Sequence, residues 1–303
     1  MIFIFCNYYY YKKVMTLPKL NNDIIEVIAK HLINPEYKLL DWIDINNIND
    51  ISLNLNYNSI SFLKENQNKI DWDFLSLHPS AIELLKENKD KINWNWLSSN
   101  PAAIELLKEN KDKINWCQLS RNPNAIELLK DNQNKIDWDL LSLNPAAIEL
   151  LRNNQDKINW RYLSENTAAI ELLRDNINNI QRDYLSANPA AIELLKLNRD
   201  KINWTALSKN PAAIELLKEN RNRIDWFQLS KNPNAIELLK EHPEKINWFN
   251  LSLNPNAIEL LRKNKNKINW MQLSKNPSIF ELDDNKNNEL LKNKVIDLSL
   301  LLL

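Results

Sequence analysis

The chain has 303 residues, 39 basic against 39 acidic side chains, and no glycine. A formal net charge of zero argues against a polyanion binder driven by bulk charge. Without glycine, the usual phosphate-cradling loops, nucleophile elbows and backbone anion nests are not available. His31, His78 and His242 are scattered, and Cys6 and Cys117 lie far apart. Neither set has metal-ligand spacing, so no metal or cofactor is expected, and a reducing intracellular compartment fits the cysteine usage. No apolar run approaches the ~18 residues of a membrane span.

Residues 1–15 read as a tail. Met1 to Cys6 is apolar but short, lacks a basic leader and runs into four tyrosines and Lys12-Lys13. That is a poor secretion signal, and translation from Met15 is the alternative start. Residues 16–50 follow as a helical segment, in which Leu17-Pro18 leads into an amphipathic stretch from Asp23 to Leu32. This segment resembles the opening of an F-box. The resemblance implies docking on a Skp1-like adaptor through Leu17, Pro18, Ile24, Ile25, Ile28 and Leu32. Read from its residues alone, the same segment is the N-terminal cap that a repeat array needs. A decayed repeat follows, with Asn34-Pro35 and Ile48 in register.

From 51 to 285 the chain repeats every 22 residues. Trp72, Trp94, Trp116, Trp138 and Trp160 mark the period, Arg182 takes the next slot, and Trp204, Trp226, Trp248 and Trp270 resume it. Each unit carries two helix starts. Asn100-Pro101 and its equivalents place a strong N-cap before a proline that loses no useful N–H. Ala103, Ile104, Leu106 and Leu107 then share one helical face. Asn110 is expected to end that helix in the left-handed conformation. The second start is Asn115, Asp137 or an equivalent, capping a short W-x-x-L-S helix. No unit can bury its apolar face alone, so neighbours must stack. The expected fold is an all-α, right-handed solenoid of alternating α and 3-10 helices, about ten repeats long with atypical caps. Such a stack is expected to form a curved rod of roughly 90 Å. Residues 286–303 are apolar enough to cap its end.

The Leu229-Ser230-Lys231-Asn232-Pro233-Asn234-Ala235-Ile236-Glu237-Leu238-Leu239 stretch resembles the leucine-rich repeat variant, whose units alternate α and 3-10 helices. A tryptophan in each unit and a shorter period depart from that family. The repeats are also similar to Asn/Ile/Lys-rich tandem-repeat proteins of large DNA viruses of protists. That likeness implies a viral protein acting in the host-cell cytoplasm, and it carries no chemistry.

The Trp column is expected to pack between units, with Trp→Ala costing about 3–5 kcal/mol. The alternative is an aromatic ladder on which bases or sugars stack. Arg182, with Thr167 and Asn179 in the same unit, is expected to reach solvent at a local irregularity of the array. A Glu column from Glu83 to Glu259 runs three residues ahead of a Lys/Arg column from Lys86 to Arg262. It reads as a solvated face of i,i+3 pairs. Nine equivalent carboxylates argue against catalysis, which needs a singular site.

The two residues after each Trp, and the residue after Leu-Ser, vary while the frame repeats. The candidate partner-binding strip is therefore Phe74, Trp96, Gln118, Leu140, Arg161, Tyr162, Tyr184, Phe227, Gln228, Phe249 and Met271. The expected function is non-enzymatic: a scaffold that binds a protein partner. The alternatives are an F-box-type receptor of a ubiquitin ligase and a binder of single-stranded nucleic acid, the latter disfavoured by the charge balance.

Overall fold

The computed structural model describes residues 22–33, 35–197, 199 and 202–301. The chain divides into two compact units, Tyr37–Glu281 and Met1–Glu36 together with Leu282–Leu303. The larger unit is the repeat array, all-α in its repeating pattern of α and 3-10 helices.

One repeat shows how local sequence sets the path. The short helix Trp138–Ser142 is capped by Asp137, whose Oδ1 accepts from the Leu140 amide at 3.0 Å. A 3-10 turn, Pro145–Ala147, opens on Asn144 and leads into the helix Ile148–Arg152. A second 3-10 turn, Gln155–Lys157, returns the chain to the next cap, Asn159. The left-handed helix end expected at Asn110 does not occur: its φ is −130° and its ψ 54°, and no described residue has positive φ. The Asn110 amide group instead donates to the Leu106 carbonyl at 2.8 Å. The side chain thus satisfies a terminal helix carbonyl, and the backbone need not reverse to do so.

Leu75 and Leu85 with Ala81, and their equivalents, form a buried column. Beside them lie buried polar residues, Ser142 and Asn144 among them, each 0% exposed. Polar groups are buried without large cost only when their hydrogen bonds are made, and here they are. The Asn144 side chain donates to the carbonyls of Ser120 and Asn122 in the preceding unit, at 3.0 and 2.9 Å, and accepts from the Ala146 amide at 3.0 Å. The Ser142 hydroxyl donates to the Trp138 carbonyl at 2.8 Å and accepts from the Asn159 amide at 3.0 Å. These bonds recur in most units, forming two ladders along the array.

The ladders close on themselves. Asn56 donates to the carbonyls of Ser274 and Asn276, at 3.4 and 2.8 Å, as Asn276 does to Ser252 and Asn254. The Asn49 amide donates to the Ser274 hydroxyl at 2.9 Å. Strand β1, Tyr37–Leu39, pairs with β2, Phe280–Leu282, and the Leu40 amide donates to the Ile279 carbonyl at 2.9 Å. The decayed segment after residue 40 is therefore a working unit. Eleven stations, from Asp50 to Trp270 at intervals of 22, complete a ring. Each joint turns the chain by about 33°, one eleventh of a circle. The expected open rod is closed, because the first unit presents the acceptor and donor groups that the last unit lacks.

The ring has an inner and an outer layer. Short helices of adjacent units approach within 8 Å between Cα atoms, and so do adjacent Asn-Pro turns. Equivalent helices of the Ile148–Arg152 type approach one another less extensively. In a closed ring equivalent atoms draw together as they near the axis, so the short helices and Asn-Pro turns form the inner layer.

In the smaller unit the helix Asn22–Leu32 packs with the helix Asp284–Leu301. Ile25 and Ala29 are buried there. Asn287 ties the chain ends by accepting from the Glu36 amide and donating to its carbonyl, both at 2.8 Å.

Candidate functional site

The tryptophans do not lie in the dry core. They are half-buried against it, and lysines cover several ring faces. Lys91, Lys113, Lys135, Lys157 and Lys267 place Nζ 4.4 to 4.7 Å from the ring centroid of the Trp that opens the same repeat. These five lysines are thus cation–π lids, each contributing about 0.5–1 kcal/mol at an exposed site. The lysines of the Lys86-to-Arg262 column pair with glutamates, as in Lys108–Glu105 at 2.8 Å. Many of the amines that a nucleic-acid backbone would enlist are therefore already engaged.

At the Arg182 station the expected irregularity of the backbone is absent. Its short helix, Arg182–Leu185, sits in register. Ser186 and Asn188 make the same ladder bonds as Ser142 and Asn144. Arg182 itself is half-buried. What changes is the cap: Gln181 makes no side-chain bond to the helix start.

The variable strip resolves into arcs. In one arc, the residue after Trp is bound to the cap of the next unit. Asp73, Asn95, Asp139 and Asp183 accept from the side chains of Asn93, Asn115, Asn159 and Asn203 at 2.9 to 3.0 Å. The Cys117 thiol donates to the Asp137 carboxylate at 3.1 Å, and that bond, with partial burial and the nearby negative charge, pushes the thiol's pKa up. Cys117 is thus held as a thiol and not as a reactive thiolate. These side chains vary within a structural role. The i,i+20 pairing of Asn and Asp was the signal for it, and it was not read from the sequence.

In the other arc the same slot carries Phe227, Phe249 and Met271, which are 50%, 45% and 55% exposed. They stand in three successive units. The residues beside the latter two, Asn250 and Gln272, are buried, and Asn250 donates to the Phe227 carbonyl at 2.6 Å. The backbone under the apolar run is thereby fixed.

The remaining candidates gather elsewhere. Phe74 and Trp96 face each other with centroids 6.4 Å apart. Arg161 lies over the Tyr184 ring at 4.4 Å and near that of Tyr162 at 5.8 Å. Gln118, Leu140 and Gln228 are half-buried. A further apolar spot was missed in the sequence. Arg199 pairs with Glu219 and Arg221 with Glu241 across one joint each, 20 residues apart. Ile177 and Leu197 occupy the corresponding slots of the neighbouring joint, and both are exposed.

Of the adaptor-binding candidates, Leu17 and Pro18 lie outside the described residues. On the N-terminal helix Ile24 and Leu32 are exposed, Ile28 is half-buried and Ile25 is buried. Among the described residues no cluster of His, Cys, Asp and Glu is placed to hold a metal ion, and no helix is long and apolar enough to cross a membrane. The chain matches no family model, no curated protein and no solved structure.

Proposed function

We propose that the protein is a binding scaffold whose partner docks on the apolar arc of the ring. The observation that carries this reading is the run of Phe227, Phe249 and Met271 at equivalent slots of three adjacent units. Exposed side chains of this size, gathered in one place, mark interaction surfaces more often than scattered ones do. Aromatic and methionine side chains are also the types enriched at such surfaces. The frame beneath them is rigid, so little ordering cost falls on the scaffold when it binds. No reacting group is assigned to it, because every titratable column recurs in near-identical copies.

The test replaces Phe227, Phe249 and Met271 together by Ser. The expected outcome is an unchanged circular dichroism melt and loss of the partner recovered by affinity capture and mass spectrometry. Recovery of the same partner at the same yield sinks the proposal.

A second reading rests on the N-terminal helix, whose Ile24 and Leu32 are exposed. It makes the protein a substrate receptor that docks on a Skp1-like adaptor. Co-purification of such an adaptor, lost when Ile24 and Leu32 become Ser, supports this reading. Adaptor recovery unaffected by those changes removes it.

A further inference from the structure

One rung of the asparagine ladder is a histidine. His78 stands where other units have Asn, and its side chain is 3% exposed. An Asn at this slot makes three bonds, as Asn144 does. His78 makes one: Nε2 lies 3.1 Å from the Asn56 carbonyl. It does not cap the following 3-10 turn, Pro79–Ala81. A carbonyl only accepts, so Nε2 carries the proton and Nδ1 is a bare acceptor. Nδ1 is buried and has no partner. The joint between the chain termini of the ring, by contrast, carries the full set of bonds through Asn56. The weak joint lies one unit beyond it.

We propose that the joint between residues 54–58 and 76–82 is a pH-sensitive seam, at which the ring opens in mildly acidic solution. Protonation at Nδ1 puts an N–H donor and a positive charge into a buried slot where that atom has no hydrogen-bond partner. No charged side chain is among the groups that act on the imidazole. The 54–58 turn contributes the Asn56 carbonyl and Tyr57, whose ring centroid lies 5.6 Å away. The next unit contributes the Asn100 amide, which donates to the His78 carbonyl at 3.1 Å. Burial lowers the imidazole pKa from its ordinary 6.5, against a smaller upward pull from the carbonyls of Asn56 and Tyr57.

The sign follows. The open joint binds a proton near pH 6.5 and the closed joint only below that. Closure is therefore at full strength above pH 6.5 and weakens as the pH falls toward the closed-state value. Within that window the opening equilibrium grows about tenfold per pH unit.

Hydrogen exchange read by mass spectrometry tests the seam, with rates corrected for the intrinsic pH effect. Between pH 7.5 and 5.5, exchange in residues 54–82 is expected to rise relative to the matched segment 142–170. H78N is expected to abolish that rise and to melt at a higher temperature at every pH, because it restores the common rung. H78Q serves as a second non-titrating variant, and H242N controls for a histidine outside the ladder. An acid response that survives in H78N and H78Q, or one spread evenly over all joints, overturns the proposal.

Discussion

Two columns recur with the same period, and they hold the ring in different ways. The asparagine column is dry and makes three bonds per residue, two of them to the unit before. The tryptophan column is half-wet and contributes contact area, covered in part by lysine. The larger and more conspicuous residue is thus the less enclosed. A buried polar group with exact partners fixes the spacing and angle of a joint, whereas a half-exposed aromatic tolerates a range of both. The polar ladder sets the geometry, and the apolar columns supply most of the driving force.

The comparison can be broken by exchanging residues within one joint. Asn144→Ala removes a cap and leaves two buried carbonyls without their donor. It is expected to destabilise by about 3 kcal/mol or more in urea unfolding. Trp138→Ala is expected to cost less, about 2 kcal/mol, below the 3–5 kcal/mol typical of a fully buried aromatic. If the tryptophan change proves the costlier of the two, the order argued above is reversed.

Arg182→Trp sharpens the contrast from the other side. Returning the aromatic to an intact station is expected to add about 1 kcal/mol from apolar burial. Partner capture is expected to stay unchanged, and its loss would assign Arg182 to the binding surface. The smallest expected effect is that of Lys157→Ala. It uncovers the Trp138 ring, 4.5 Å from the amine, and is expected to cost about 0.5 kcal/mol in the same assay.

Much of the candidate site was legible only in outline. The variable positions beside each Trp were visible as such in the sequence. That Asp73, Asp139 and Asp183 vary within a structural role was not, because their partners lie 20 residues away in the next unit. Phe227, Phe249 and Met271 have no polar group that could make such a bond to a cap. This difference, together with their exposure, separates the apolar arc from the rest of the strip.

The sequence by itself determined what is local. The 22-residue period, the two helix starts at Asn-Pro and at Asn or Asp before Trp, and the Leu and Ala columns all follow from spacings of a few residues. Closure was decided by the tertiary structure. The turn at each joint depends on how closely the short helices and the longer ones pack against their neighbours, and a few degrees of difference per joint, summed over eleven, would separate a ring from an open spiral. The ladder roles of Asn and Ser were hidden for the same reason: their partners are supplied by the neighbouring unit, and at the closing joint by the far end of the array.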